Sequence, residues 1–218
     1  MRISFLGKVI RNARIIARTS WSTYRITRAA CDYGADQKWV ELTELAHIAR
    51  KLNPKFTMEI GLYAGGTIAL WAQMMSGKGT LIGIDLKLQE GLENRIRAKM
   101  KSGQKLFLLE ADSHADETKR HVLQIVGQAK LDFLFIDGDH SYEGVKKDFE
   151  DYAPLVRPGG IVALHDIIPD YATRFGTETS ANTGGVHLLW REISPRYPHE
   201  EFVEDGQQDG CGIGVLHT

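Results

Sequence analysis

The sequence predicts a doubly wound α/β domain with a mainly parallel seven-stranded sheet, an antiparallel last strand and helices on both faces. From Asp36 onward, helical and strand-like patterns alternate, with no internal repeat and no low-complexity tract. The run 131–136 is of the apolar type that strands covered on both faces show. A length of 218 residues suits one such domain with an attached segment.

The attached segment is residues 1–35, which we predict to be a basic amphipathic arm on a domain of residues 36–218. Residues 1–31 carry seven Lys or Arg and no acidic residue, although the whole chain has a net charge of -1. Apolar residues recur there at spacings of 3 and 4, at Ile3, Leu6, Ile10, Ala13 and Ala17. Such a helix could pack on the acidic body, form a homodimer or cover the substrate. Attachment to a membrane surface or to nucleic acid is the weaker alternative. Nucleic acid is disfavoured because aromatic and basic residues are not interleaved here as they are in single-strand binders.

Composition sets the expected surroundings of the chain. Hydrophobic residues make up 43% and charged residues 25%, as in globular proteins. The two cysteines lie far apart and form neither a paired metal motif nor a disulfide framework. No apolar stretch is long enough to span a membrane, and the start lacks the pattern of a secretory signal. We therefore expect a reduced protein in the cytoplasm.

The elements of the first half follow from local patterns. Apolar residues at helical spacing predict a helix over 38–51, which Asn53-Pro54 ends. A strand over 56–60 comes next, and the glycine turn 61–66 then opens a helix that runs to Met75. The next predicted elements are a strand over 80–84, a charged helix over 89–101, a strand over 106–109 and a helix over 115–128.

The second half continues the same alternation. The apolar strand 131–136 is followed by a helix with Tyr142, Val145, Phe149 and Tyr152 on one face. The remaining predicted elements are a strand over 161–164, a polar loop, a helix beginning near Val186, and strands over 201–203 and 212–216. The last of these strands fits an antiparallel insertion.

Four aspartates close or closely follow predicted strands, at Asp85, Asp112, Asp137 and Asp166. In an open parallel sheet, ligands bind outside the carboxyl ends of the strands, near the point where the strand order reverses. The glycine turn after the first strand reaches the same edge. This coincidence predicts a ligand cleft there.

The glycines of the turn 61–66 allow a close approach of ligand to backbone, because Gly61, Gly65 and Gly66 have no side chain to obstruct it. Their spacing differs from the G-x-G-x-x-G of dinucleotide-binding folds, and no Lys-Ser or Lys-Thr follows as in a phosphate loop. Taken alone, the turn could be purely structural.

Glu59-Ile60-Gly61 with Gly65-Gly66 and Asp85 resembles the first motifs of class I S-adenosylmethionine-dependent methyltransferases. The resemblance covers residues 36–218 and implies their Rossmann-like fold, with S-adenosylmethionine as cofactor. It implies that Asp85 binds the ribose hydroxyls and Asp112 the adenine amino group, unless Asp112 only caps a helix. Glu59 would contact the cofactor amino group or organise the turn. Further implied cofactor-binding positions are Tyr63, Thr67, Ser113 and Asp137.

The run from Phe133 to Tyr142, with the later Pro158-Gly159-Gly160, resembles the small-molecule group that includes cephalosporin hydroxylase-like proteins and macrolide sugar O-methyltransferases. Relatives in this group commonly hold a divalent metal at the ends of strands four and five. The corresponding positions are Asp137, His165 and Asp166. Mg²⁺ would prefer the carboxylates, whereas an imidazole also suits Mn²⁺, Fe²⁺ or Zn²⁺. Without a metal, Asp137 and Asp166 would position the substrate directly.

The expected reaction is methyl transfer to a hydroxyl of a small molecule or sugar-containing metabolite, with Asp137, His140 and Asp166 as catalytic residues. His140 is the candidate general base, with a metal ligand or a helix cap as its other readings. His114 lies in no motif that distinguishes it from polar surface. The alternatives are a nicotinamide-dependent oxidoreductase and a non-catalytic module that binds the cofactor and a partner.

Overall fold

The computed structural model describes residues 13, 15, 17 and 19–218. Ala13, Ile15, Ala17 and Thr19 are helical; Ile15 and Thr19 are buried, whereas Ala13 and Ala17, two of the predicted apolar positions, are exposed. The other predicted apolar positions of the arm, Ile3, Leu6 and Ile10, lie outside the described residues.

Seven strands form one sheet, in the order β3-β2-β1-β4-β5-β7-β6. The strands are β1 (Phe56–Ile60), β2 (Thr80–Asp85), β3 (Lys105–Glu110), β4 (Leu131–Ile136), β5 (Val156–His165), β6 (His199–Phe202) and β7 (Ile213–His217). The first five are parallel, whereas β7 runs antiparallel to both β5 and β6. The predicted fold class is confirmed, including the antiparallel last strand.

Eight α-helices follow Ser20 in the described part of the chain, and seven of them pack on the sheet. They are α1 (Trp21–Asp32), α2 (Trp39–Leu52), α3 (Gly66–Met74), α4 (Leu92–Arg97), α5 (Asp116–Val126), α6 (Tyr142–Tyr152), α7 (Tyr171–Phe175) and α8 (Val186–Ile193). Apolar residues of α1 to α4 pack on one face, and those of α5, α6 and α8 on the other. The strand order reverses between β1 and β4, which places a crevice at their carboxyl ends.

Strand β4 shows how the sheet forms two cores. Successive side chains of a strand point to opposite faces, so Phe133 and Phe135 join one core while Leu134 and Ile136 join the other. All four are buried. The ring of Trp71, from α3, meets Phe133 and Phe135 edge to face, with centroids 4.9 and 5.5 Å apart. Burial on both faces explains the nearly continuous apolar run in the sequence.

Three elements differ from the prediction by more than two residues. The helix expected over 89–101 is only α4, because Gly91 adopts a left-handed conformation at its start. Strand β5 begins earlier than predicted, since Val156 already pairs with Leu131 before an irregularity in the register. The predicted polar loop contains the short helix α7, which the Asp170 side chain caps.

Helix α1 packs on the domain through small and polar contacts. Thr27 Oγ1 lies 2.7 Å from Thr43 Oγ1 of α2, and Ala30 is buried in the core on that face. Arg50 donates a 2.7 Å hydrogen bond to Ser22 Oγ. The division between arm and domain at residue 35 stays a prediction. Within the described part of the chain, no helix has the length and apolarity needed to cross a membrane.

Candidate functional site

A cleft of about 1070 Å³ opens at the carboxyl ends of the parallel strands. It brings together most of the predicted site residues: Gly61, Tyr63, Thr67, Asp85, Asp112, Ser113, Asp137, His140, His165 and Asp166 line it. Glu59, Gly65 and Gly66 lie behind the lining. The edge of the sheet that the strand-end aspartates predicted is therefore where the cavity lies.

The glycine turn is held against the neighbouring strands. Gly61 has φ +85°, and a Cβ there would lie 2.0 Å from the carbonyl oxygen of Asp137. Only glycine allows the ends of β1 and β4 to approach this closely. Asp85 Oδ2 accepts hydrogen bonds from the backbone amides of Leu62 (2.7 Å) and Tyr63 (3.0 Å). Asp85 thus fixes the turn from the end of β2 while its carboxylate lines the cleft.

Gly66 and Glu59 support the turn from behind. A Cβ on Gly66 would lie 2.2 Å from the backbone nitrogen of Ala35, so the loop between α1 and α2 rests directly on the turn. Glu59 is fully buried and accepts a hydrogen bond from the Thr67 hydroxyl, while its Oε2 has no hydrogen-bond partner. Burial, with Asp137 nearby, raises the pKa of the Glu59 carboxyl well above its ordinary value. These surroundings therefore favour the neutral form of Glu59.

The loop after β3 carries the residues that the resemblance assigns to adenine. Asp112 Oδ1 accepts a 2.9 Å hydrogen bond from the backbone amide of His114, and Ser113 O accepts one of 2.6 Å from the Tyr152 hydroxyl. His114 Nε2 lies 3.4 Å from Oδ1 of Asp148, a fully buried carboxyl on α6. Burial raises the pKa of Asp148 to about 6. His114, which the sequence left as polar surface, thus lies in the lining of the cleft beside a buried carboxyl.

Four polar side chains cluster at the ends of β4 and β5. Asp137 Oδ1 lies 3.1 Å from His165 Nδ1 and 3.5 Å from His140 Nε2. Asp166 Oδ2 lies 3.4 Å from His140 Nδ1, and Asp166 Oδ1 lies 3.5 Å from His165 Nδ1. Each histidine therefore lies between the same two carboxylates.

The charges in this cluster depend on one another. The hydrogen bond with Asp137 raises the pKa of His140 to about 9, and the carboxylates outweigh burial to raise the pKa of His165. Burial alone would raise the pKa of Asp137, but the two histidines bring it below its ordinary value. Burial raises the pKa of Asp166. In this state His140 holds a proton at neutral pH, so it cannot act as a base until that proton leaves.

Residues outside the predicted set complete the cluster. Gln37 Nε2, from the loop before α2, donates a 2.5 Å hydrogen bond to Asp137 Oδ2. The Asn182 carbonyl accepts a 2.5 Å hydrogen bond from His140 Nδ1, and the Cys211 amide donates one of 3.0 Å to Asp166 Oδ1. Gln37 is 100 residues from its partner in sequence, and none of the three lies in a motif. No local signal could have found them.

The cluster fits a divalent cation. Asp137, His140 and Asp166 each offer a ligand atom, and these atoms lie within 4.8 Å of one another. The predicted ligand His165 belongs to a second group, in which its ring nitrogen and ligand atoms of Asp166 and Cys211 lie within 4.8 Å of one another. The buried Nε2 of His165 has no hydrogen-bond partner, although buried polar atoms in proteins rarely lack one. The ligand atoms of this cluster and the unpartnered Nε2 of His165 are consistent with an ion bound at the carboxylates of Asp137 and Asp166.

The lining of the cleft is strongly acidic. Six aspartates line it: Asp36, Asp85, Asp112, Asp137, Asp139 and Asp166. Among the described residues, Lys87 is the only Lys or Arg in the lining. Even with His140 protonated, carboxylates outnumber cationic groups in the lining, so this surface attracts cations and disfavours the pyrophosphate of a dinucleotide.

A family model described as a methyltransferase domain matches residues 58–167, half of the chain. The chain belongs to this methyltransferase family. The matched range runs from β1 to just past β5, so it includes the glycine turn and all four strand-end aspartates. Gln37 and Cys211 lie outside it.

The sequence identity of this chain to a characterised methyltransferase is low. Demethylmacrocin O-methyltransferase of Streptomyces fradiae is 23% identical over 177 residues, which make up 74% of this chain and 42% of that protein. The chain spans half or less of the length of the curated relatives it matches. These shares make the activity of the whole protein a matter for proposal.

Solved structures of methyltransferases share the fold. An O-methyltransferase from Bacillus cereus, in complex with SAH, has a TM-score of 0.60 at 16% identity, over 91% of this chain and 92% of that chain. The MycE methyltransferase of the mycinamycin biosynthetic pathway, in complex with Mg and SAH, has a TM-score of 0.59 at 18% identity, over 89% of this chain and 54% of that chain. At these identities the likeness shows the Rossmann-like methyltransferase fold.

Proposed function

We propose that this chain transfers the methyl group of S-adenosylmethionine to a hydroxyl oxygen of a small molecule or sugar-containing metabolite. The observation that carries the proposal is the continuity of the cleft. A single cavity joins the glycine turn, Asp85 and Asp112 to the cluster of Asp137 and Asp166. A cosubstrate held at the first group and a hydroxyl held at the second would meet inside it.

The charge of the cleft favours this cosubstrate over a nicotinamide dinucleotide. S-adenosylmethionine carries a sulfonium, an ammonium and a carboxylate group and is positively charged overall, whereas a dinucleotide carries an anionic pyrophosphate. The six aspartates of the lining stabilise the former and oppose the latter. The glycine spacing of the turn also differs from the G-x-G-x-x-G pattern that binds dinucleotides.

Within the cleft, we assign the ribose to Asp85 and the adenine to the Asp112–Ser113 loop. Both positions are held by hydrogen bonds within the chain. Asp85 is tied to the amides of Leu62 and Tyr63, and the loop is tied to α6 through the Tyr152 hydroxyl. A preorganised site loses less entropy on binding. Gly61 leaves the backbone open to the amino-acid part of the cosubstrate.

Methyl transfer needs an oxygen nucleophile aligned with the sulfonium carbon and a group that takes the hydroxyl proton. The carbon–oxygen bond forms as the carbon–sulfur bond breaks, and a neutral thioether leaves. Because the methyl group is already activated, positioning supplies much of the catalysis. Asp137 and Asp166 lie where the hydroxyl would bind, and they hold His140 between them. Once deprotonated, His140 would accept the hydroxyl proton.

A divalent cation would be held by Asp137 and Asp166, with His140 or His165 beside them. When bound, it would lower the pKa of the acceptor hydroxyl and offset the negative charge that keeps His140 protonated. The MycE methyltransferase, which shares the fold, was solved with Mg. This supports a divalent cation at the corresponding place in the fold.

The proposal is tested by following SAH release from S-adenosylmethionine with a panel of catechols, phenols and sugars, with and without Mg²⁺ or Mn²⁺. We expect release that depends on one acceptor class. Asp166→Asn retains an oxygen for the Cys211 amide but loses the charge, so turnover should fall at least about 100-fold. Asp116→Asn, on the exposed start of α5, is the matched control. Full turnover by Asp166→Asn, or turnover only with a nicotinamide cofactor, would refute the proposal.

Three finer expectations accompany this function as predictions. They are a cytoplasmic location, no nucleic-acid partner, and a homodimer formed through the N-terminal arm. A sedimentation experiment on the full chain and on a chain lacking residues 1–12 measures the last of these directly.

A further inference from the structure

Cys211 lies in the lining of the cleft, beside the ends of β4 and β5. The Cys211 thiol, an imidazole nitrogen of His165 and a carboxylate oxygen of Asp166 lie within 4.8 Å of one another. We propose that these three side chains bind a thiophilic divalent cation, with Zn²⁺ as the preferred ion. The site adds a sulfur ligand to the predicted set, and it shares Asp166 with the oxygen-rich group of Asp137 and His140.

The state of the His165 ring is the observation that points to a ligand. The side chain is only 6% exposed, its buried Nε2 makes no hydrogen bond of ordinary geometry, and the ring interacts with the Cys211 thiol. The other ring nitrogen, Nδ1, lies 3.1 Å from Asp137 Oδ1. Histidines that bind metals usually donate their second ring nitrogen to a carboxylate, which orients the ring. Asp137 is placed to do this for His165.

The backbone holds the thiol in place. Asp166 and Cys211 both have left-handed backbone conformations, with φ of 62° and 60°. The Cys211 amide donates to Asp166 Oδ1 at 3.0 Å, and its carbonyl accepts from the Ile168 amide at 3.0 Å. The next residue, Gly212, donates at 2.9 Å to the buried carboxylate of Glu41. Contacts on both sides therefore fix the position of Cys211.

The donor set selects the ion. One nitrogen, one oxygen and one sulfur suit Zn²⁺, Co²⁺ or Fe²⁺, whereas Mg²⁺ takes oxygen ligands. Around a tetrahedral zinc ion the ligand atoms lie roughly 3.6 Å apart, so the side chains must move together by up to about 1 Å. Three protein ligands leave a fourth position free for water or an acceptor hydroxyl. Binding of the ion does not depend on the proposed function. Only a role of the ion in turnover rests on it.

Cobalt is the probe for this site, because a thiolate bound to Co²⁺ gives a charge-transfer band in the near ultraviolet. The chain has two cysteines, and Cys31 lies in α1 outside the lining. Titration of the metal-free full-length protein with Co²⁺ should give the band in the wild type and in Cys31→Ser, but not in Cys211→Ser. Zn²⁺ should displace the cobalt, and its affinity should fall at least about 10-fold in Cys211→Ser.

A second measurement needs no variant. Zn²⁺ should slow alkylation of Cys211 in the wild type, as followed by mass spectrometry, and leave the rate at Cys31 unchanged. No band in the folded wild type, a band retained in Cys211→Ser, or equal alkylation of Cys211 with and without Zn²⁺ would overturn the site. Binding of S-adenosylmethionine is measured separately without metal. Cosubstrate binding without the cobalt band would refute this inference alone, and the band without cosubstrate binding would count against the proposed function alone.

Discussion

Glu59 and Asp85 are acidic residues at neighbouring strand ends, but their surroundings give them different roles. Asp85 lines the cleft, where its carboxylate accepts backbone hydrogen bonds, whereas Glu59 is fully buried beneath the turn. The sequence predicted both positions because each lies in a short local motif. It left open whether Glu59 contacts the cofactor, since burial depends on α3 and β4, which pack over it from elsewhere in the chain.

The Glu59→Gln variant separates the two roles left open for this residue. Burial raises the pKa of the Glu59 carboxyl well above its ordinary value, and glutamine is the uncharged replacement of nearly the same shape. We expect the dissociation constant of S-adenosylmethionine to change less than about threefold, as measured by calorimetry. A direct contact between a Glu59 carboxylate and the cosubstrate ammonium would contribute about 1.5–3 kcal/mol, and its loss would weaken binding by at least about 10-fold. The exposed Glu93→Gln is the control.

The pKa of His140 is a second prediction at this scale. In the metal-free protein, its ring proton resonance should titrate with a midpoint near 9, because Asp137 accepts a hydrogen bond from the imidazolium. Asp137→Asn should lower the midpoint toward 6.5. Proton NMR checks both, with the resonance assigned from its absence in His140→Gln. A midpoint at or below 6.5 in the wild type would contradict the account of the cluster.

At the scale of elements, the alternation of strands and helices was predictable because each pattern is local. β1, β2 and β4 match their predicted spans within one residue. Boundaries that depend on partners were not predictable, such as the early start of β5 beside Leu131. The same limit applies to the site. Motif residues were found, whereas Gln37, Cys211 and Asp148 reach it through packing between distant elements.

Asp148 of α6 lies beside His114, in the loop that follows β3. Because Asp148 is buried, we expect the stability of the protein to depend on pH. Burial raises the pKa of Asp148 from 3.8 to about 6. Between these two pH values, Asp148 is protonated in the folded state and ionised in the unfolded state. The stability that this group contributes is therefore present below about pH 4 and is lost as pH rises through 6. The rise corresponds to at most about 3 kcal/mol.

Asp148→Asn removes this dependence. Between pH 4 and 7, the free energy of unfolding of the wild type should fall relative to the variant by up to about 3 kcal/mol. Urea denaturation at several pH values gives the difference. Asp116→Asn, which changes an exposed carboxylate, should show no comparable trend. A wild-type minus Asp148→Asn difference that stays constant with pH would rule out this reading of Asp148.

Across the whole molecule, the N-terminal and C-terminal parts meet at one buried carboxylate. Glu41 of α2 accepts hydrogen bonds from the amides of Glu204 and Gly212 and from the Gln208 side chain, at 2.8, 2.9 and 2.8 Å. These donors belong to the loop that carries Cys211. The fold class was predictable from the sequence, but this connection was not, because it joins residues more than 160 positions apart.

Glu41→Ala should therefore loosen the loop and destabilise the protein. Gly212 loses its acceptor, and we expect a loss of about 2 kcal/mol in the free energy of unfolding. Hydrogen exchange should also become faster at the Gly212 amide. Glu44→Ala, at a half-buried position of the same helix, is the comparison. Unchanged exchange at Gly212 would mean that other contacts hold the loop.

The central claim is that the acidic cleft binds S-adenosylmethionine, and calorimetric titration of the full-length protein tests it most directly. We predict binding at one site, competition by SAH and no heat from a nicotinamide dinucleotide. Asp85→Asn should weaken binding at least about 10-fold, because the ribose position and the turn both depend on this carboxylate. Asp116→Asn should bind as the wild type does. A folded wild-type protein that does not bind S-adenosylmethionine would contradict the account.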